Sequence, residues 1–280
     1  MTARLLKTRR LDGLSLFGLI TLGILLFLGI FGPLLPLGDP TRIAAGPRLD
    51  APSPHFPFGT DELGRDFLPR VVQGIRATFL LSAIAVAITA VIGTLLGLMA
   101  GYLGRTTDQA IARGADILFA FPALVAGLLV AAVIGPGQVS AITVISIATL
   151  PLFIRVVRSV TLGVAGRGFV TAAEVAGASA LRVMLVHLLP NVMGAVMVQL
   201  TYALSIGMII ESALSFLGLG VQPPDASLGS LLRQGSGYLT IAPWMVLSVG
   251  VVLSLAIMSV NLVGDAVRDA LEPLKGRPLT

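Results

Sequence analysis

Glu211 is the side chain whose chemistry demands most of its surroundings. It is the only charged residue between Leu188 and Pro224. A carboxyl group in so apolar a run is costly to bury and faces either a cavity or a polar partner. Two readings follow. Glu211 borders a translocation path, near a substrate amine or a cation. Or it makes a buried contact near the outer end of a helix, satisfied by hydroxyls or by a partner subunit. Other chemistry is sparse. The chain has no cysteine and two histidines, His55 and His187, far apart. That excludes disulfides, thiol nucleophiles and thiolate metal sites, and neither histidine sits in a spaced ligand cluster. Asp116 has Arg113 three residues earlier, the spacing of an ion pair on one helix face. Asp61, Glu62, Arg65 and Asp66 form a charged cluster. It reads as solvated loop charge, or as an amphipathic or docking element for an external binding protein. A glycine-rich phosphate loop ending in Gly-Lys and a hydroxyl residue is absent. Lys7 and Lys275 are the only lysines, and neither follows a glycine. The expectation is a chain with no catalytic residue, no cofactor or metal site and no ATPase site of its own.

These residues must be held by elements built for lipid. Hydrophobic residues make up 55% of the 280 and charged residues 12%, against about a quarter charged in soluble domains. The net charge of +5 would raise nucleic acid as a partner in a soluble protein. Here the cations flank apolar runs, so membrane lipid is the expected partner and nucleic acid is not. A bilayer core about 30 Å thick needs about 20 apolar residues per helix. Six segments qualify: 11–31, 77–101, two within 117–154 divided at Gly135-Pro136-Gly137, 191–215 and 243–264. The basic start, Met1 to Arg10, precedes a run without a small-residue cleavage signature, so 11–31 is a retained span. With both termini inside, thirteen of the 19 lysines and arginines lie on the cytoplasmic side. Such an excess favours both termini in the cytoplasm.

Within the second span, Ala85, Thr89, Gly93, Gly97 and Gly101 recur every four residues. Small residues at that spacing form a groove that another helix can enter closely. The cytoplasmic segment 155–190 is too polar to span, yet its pattern is helical. Ala173, Ala176 or Gly177, and Ala180 share one flat face, and Gly177 is placed to turn between two short helices. Leu181, Leu185 and Leu188 continue at helical spacing. Leu189-Pro190 is expected to end the element, since proline disfavours helix at the residue before it. The plain alternative is a helix lying on the membrane surface.

Several motifs carry a resemblance. Ala172-Ala173, then Gly177, then Leu189-Pro190 resembles the EAA loop of ABC-importer permeases. Phe58-Gly59-Thr60-Asp61-Glu62-Leu63-Gly64-Arg65-Asp66 is similar to the segment before the second span in C-type permeases of the dipeptide, oligopeptide and nickel family. Asp116-Ile117-Leu118-Phe119-Ala120-Phe121-Pro122 resembles that family's third span. The run from Glu211-Ser212-Ala213-Leu214 to Gln222-Pro223-Pro224 resembles its fifth span and following loop. Asn261-Leu262-Val263-Gly264-Asp265 resembles its end. The likeness covers roughly 55–273. One departure stands out: the loop motif opens on Thr171 where the family has Glu, with Glu174 one turn later.

The resemblance implies an all-α membrane protein, a six-transmembrane-helix type I ABC importer permease bundle with cytoplasmic coupling helices. It implies import of di- or oligopeptides into the cytoplasm of a bacterium across its inner membrane. Nickel or a metal chelate is the nearest variant cargo. The implied coupling residues are Thr171, Ala172, Ala173, Glu174, Gly177, Leu189 and Pro190. The implied partners are a second permease subunit in a heterodimer, two ATP-binding cassette subunits holding ATP and Mg, and a periplasmic or lipid-anchored solute-binding protein. The chain then divides into 1–76 (tail, first span and outer loop), a core at 77–265 with its coupling element at 160–190, and a cytoplasmic tail at 266–280. An ion-coupled secondary transporter is the competing class. It often shows related halves and intramembrane ion sites, and neither is evident in the sequence.

Overall fold

A backbone surrounded by lipid must satisfy its own N–H and C=O groups, which favours unbroken helices. The computed structural model describes residues 12–271. Arg4, Lys7, Arg9, Arg10, Lys275 and Arg277, and the end of the 266–280 tail, lie outside the described residues. In chain order the helices are α1 (Gly13–Phe31), α2 (Phe67–Tyr102), α3 (Arg105–Ala120), α4 (Ala123–Ile134), α5 (Gln138–Ala165), α6 (Gly168–Val175), α7 (Ala180–Phe216), α8 (Leu228–Ser236) and α9 (Pro243–Leu271). Of these, α1, α2, α5, α7 and α9 are each long and apolar enough to cross a membrane. The pair α3 and α4 qualifies only when taken together, and it is bent by 88° at a short break.

That bend corrects the expectation of a straight third span. Phe121 is extended (φ −85°, ψ 122°) and Pro122 caps α4. Proline forces the residue before it out of the helical region, so the apolar run breaks despite its hydropathy. Alone, α4 would rise only about 18 Å. The amphipathic α3 is fastened to α5 by paired contacts. Asp108 accepts both Arg158 Nε and Arg158 Nη2, the latter at 2.7 Å. Asp116 accepts Arg155 Nη2 at 2.8 Å, and the same guanidinium lies 4.4 Å from the Phe119 ring centre. The expected Arg113–Asp116 pair is therefore replaced by a contact between helices.

The second helix begins at Phe67, so a division at 76/77 falls inside it. Asp66 caps it, accepting from Leu68 N at 3.1 Å. Its charged start is not solvated, contrary to the simpler reading of the sequence. Asp61 is fully buried. One carboxylate oxygen accepts the Leu63 and Arg65 amides, each at 2.9 Å. The other meets Arg65 Nε at 2.6 Å and Arg70 Nε at 3.4 Å. A buried carboxylate is tolerable when paired and hydrogen-bonded in this way.

The small-residue stripe of α2 receives α5. A Cβ on Gly93, Gly97 or Gly101 would meet Phe153, Val157 or Thr161 at 2.5–2.6 Å. Thr89 and Thr149 hydroxyls pair across the same seam at 3.1 Å. Two apolar clusters extend this packing. One joins α1, α2, α8 and α9 around Phe67, Ile75, Leu231 and Met245. The other joins α2, α5, α6 and α7 around Phe153, Val157, Val170 and Leu188.

Candidate functional site

The motif around Gly177 folds as a helical knuckle. The α6 helix closes with two capping bonds: Gly177 N donates to Glu174 O at 2.9 Å, and Ala178 N to Ala173 O at 3.0 Å. This is the Schellman pattern, which places its turn residue in the left-handed region. Gly177 has φ +82° and nothing within 4 Å of where a Cβ would stand. Ser179 then caps α7, its Oγ accepting from Arg182 N at 3.4 Å.

The exposed face of this knuckle differs from the face expected. Ala173 turns inward with Ala178 onto the cluster that contains Val170, Val183 and Met184. Thr171, Ala172, Ala176 and Gly177 are open. Val175 is 85% exposed and Leu181 62%. The surface therefore offers bare aliphatic groups beside a turn too small to obstruct a partner. Glu174 does not stand free. Its Oε1 accepts the Tyr102 hydroxyl at 2.7 Å, a contact that spacing along the chain gave no means to foresee.

Leu189-Pro190 does not terminate the element. One helix runs from Ala180 to Phe216 through a π-helical stretch, Val183–Leu188. There Leu189 N donates to Met184 O, five residues back. The Pro190 ring would clash with a carbonyl four residues earlier in regular helix, and the wider register relieves that. Asn191 Nδ2 donates to His187 O at 2.7 Å, supplying a donor beside the proline. Leu189 and Pro190 thus join the knuckle to the membrane span and stand apart from its exposed face.

Glu211 lies near the C-terminal end of α7 and is 0% exposed. Its carboxylate accepts from hydroxyls: Thr78 at 2.8 Å, Ser215 at 2.7 Å and Ser212 at 3.5 Å. Two of these hydroxyls pass the contact on. Thr78 Oγ1 accepts Leu228 N at 3.2 Å, at the start of α8. Ser215 Oγ accepts Val221 N at 3.1 Å, in the turn after α7. Chains of this kind polarise one another and fix a unique geometry. The short α8 they position carries a reciprocal Ser227–Ser230 capping box. Its Gly229 packs on the Ser212 backbone.

Residues 93–277 match the family described as binding-protein-dependent transport system inner membrane component. The chain belongs to this family. It is 37% identical over 265 residues to the di/tripeptide transport system permease protein DppC of Pseudomonas aeruginosa, covering 92% of this chain and 88% of that protein. It is 36% identical over 267 residues to the dipeptide transport system permease protein DppC of Alkalihalophilus pseudofirmus, covering 95% and 88%. It is 34% identical over 235 residues to the glutathione transport system permease protein GsiD of Pectobacterium atrosepticum, covering 84% and 76%. An inward-facing structure of the MetNI methionine ABC transporter shares the fold, with TM-score 0.61 at 18% identity over 74% of this chain and 98% of that one. The permease is thus a multi-pass inner-membrane subunit of an ATP-driven importer, with ATP hydrolysis on separate subunits. An ion-coupled secondary transporter is ruled out by this membership.

Proposed function

We propose that this permease imports di- or oligopeptides, or small solutes of similar chemistry, and that cytoplasmic ATPase subunits seat on the α6–α7 knuckle. The observation that carries the docking reading is the bare aliphatic pair Val175 and Leu181 flanking the left-handed Gly177. Apolar groups left in water beside a polar rim mark an interaction surface. Closure of two ATPase subunits around ATP and Mg would push on the knuckle, and α7 would carry the movement into the membrane. A second permease forms a heterodimer with this one, and a periplasmic or lipid-anchored binding protein delivers the solute. Both termini are cytoplasmic, as the distribution of cations favours. Glu211 serves transport by holding α8 and the turn after α7 at the outer mouth.

Relatives named for dipeptides, di/tripeptides and glutathione, at 34–37% identity, support the peptide class. The test is uptake by the complete complex in proteoliposomes, with di- and tripeptides, glutathione and nickel–histidine offered separately. ATP-dependent accumulation of peptides supports the reading. Accumulation of nickel–histidine alone would assign the chelate variant instead.

A further inference from the structure

The Tyr102–Glu174 hydrogen bond joins two places the transport reading treats separately. Tyr102 is the last residue of α2, the helix that packs against α5, α7 and α8. Glu174 lies in the last turn of α6, on the docking knuckle. They are 72 positions apart in sequence, and the phenol donates to the carboxylate at 2.7 Å. The Tyr102 ring packs against the same apolar cluster as Ala173 and Ala178, which flank Glu174 on the inward side of the knuckle. Val170 is fully buried there. The inward side of α6 is thus held by packing, and its far end by one directional bond.

We propose that Tyr102 and Glu174 are positioning residues that fix the docking helix to the inner end of α2, so that a push on the knuckle moves α2 together with α7. This rests on the coupling role proposed above. The chemistry favours an internal partner for Glu174 over one on the ATPase. A phenol–carboxylate bond is charge-assisted, and such bonds are shorter and stronger than neutral ones. A packed helix without such a tie can tilt about its apolar contacts, so the same push would reach α2 incompletely. The Thr171 departure then takes a different meaning. Glu174 does not stand in for the family's glutamate at the ATPase; it secures the helix from inside.

The experiment is dipeptide imported per ATP hydrolysed, in proteoliposomes of the whole complex, using an equimolar dipeptide mixture. The variants are Tyr102→Phe, Glu174→Ala and the two combined. Phenylalanine keeps the ring and its packing, so only the hydroxyl is lost. The ratio should fall about threefold to tenfold in each single variant, the factor that one net hydrogen bond allows. The double variant should fall no further than either single one. Glu174→Gln, whose amide oxygen still accepts from the phenol, should recover most of the ratio. Additive losses, or ratios like that of the native complex in both single variants, would overturn the proposal. Val175→Asp, run beside them, separates the two levels. If it uncouples while Tyr102→Phe does not, docking at the knuckle stands and the tie falls. If Val175→Asp also couples normally, the docking reading falls with it.

Discussion

Glu211 concentrates the demands that single residues make on this fold. Removing its carboxylate leaves the Thr78, Ser212 and Ser215 hydroxyls without their buried acceptor and opens a void. Glu211→Ala should therefore destabilise the permease by about 2–4 kcal/mol, visible as a lower unfolding midpoint in detergent. Glu211→Gln preserves the volume and one acceptor, but it turns an amide donor toward hydroxyls that already donate. It should assemble with its partners and transport more slowly; uptake kinetics identical to the native complex would remove Glu211 from the mechanism. The isolation of this carboxylate was legible in the sequence because no other charge lies near it. Its partners were not, since Thr78 is 133 positions away. Asp116 shows the opposite failure. A cation at the right spacing, Arg113, suggested a local pair, and the pair actually made is with Arg155 on another helix.

At the scale of elements, the spans were readable because hydropathy alone decides whether a helix can reside in lipid. The places where that reading slipped have physical causes. Pro122 breaks an apolar run that looks continuous. Phe67–Arg76 is helical although it begins among charges, because Asp61 and Glu62 together offset Arg65 and Arg70 within the fold. Pro190 sits within a continuous helix because a π-helical register makes room for it. The α2 stripe, by contrast, was legible from spacing, and it yields a prediction. Gly97→Leu would drive side-chain carbon into Val157 and should cost at least about 1–3 kcal/mol, read as loss of monodisperse protein. Gly114→Ala in α3, with nothing within 4 Å, should be neutral or slightly stabilising in the same assay. The Gly177 turn gives another. Gly177→Leu places a branched side chain at φ +82°, a strain of about 1–2 kcal/mol. It should uncouple ATP hydrolysis from uptake while the chain remains inserted. Gly177→Asn, which tolerates that conformation better, should retain more of the coupling.

For the whole molecule, one helix links two surfaces that share no residue. The knuckle of α6 and the start of α7 lies at one end, and the Glu211 network with α8 lies at the other. The α7 helix carries both: its first turn follows Gly177, and its C-terminal part holds Glu211. A partner that moved the knuckle would therefore act on the Glu211 end through one continuous helix, with α2 packed alongside. The absence of cysteine from the sequence makes the central claim directly accessible, because a single introduced thiol is unique in the chain. The deciding measurement is cross-linking of Val175→Cys in native membranes with a short thiol-to-amine reagent, followed by mass spectrometry of the adduct. A one-to-one adduct is expected with a subunit bearing a Gly-Lys-Ser/Thr phosphate loop, suppressed when Val175→Cys is first blocked by a membrane-permeant maleimide but not by an impermeant one added from outside. Blocking by the impermeant reagent in sealed cells, or an adduct with no such subunit, would contradict docking at this surface.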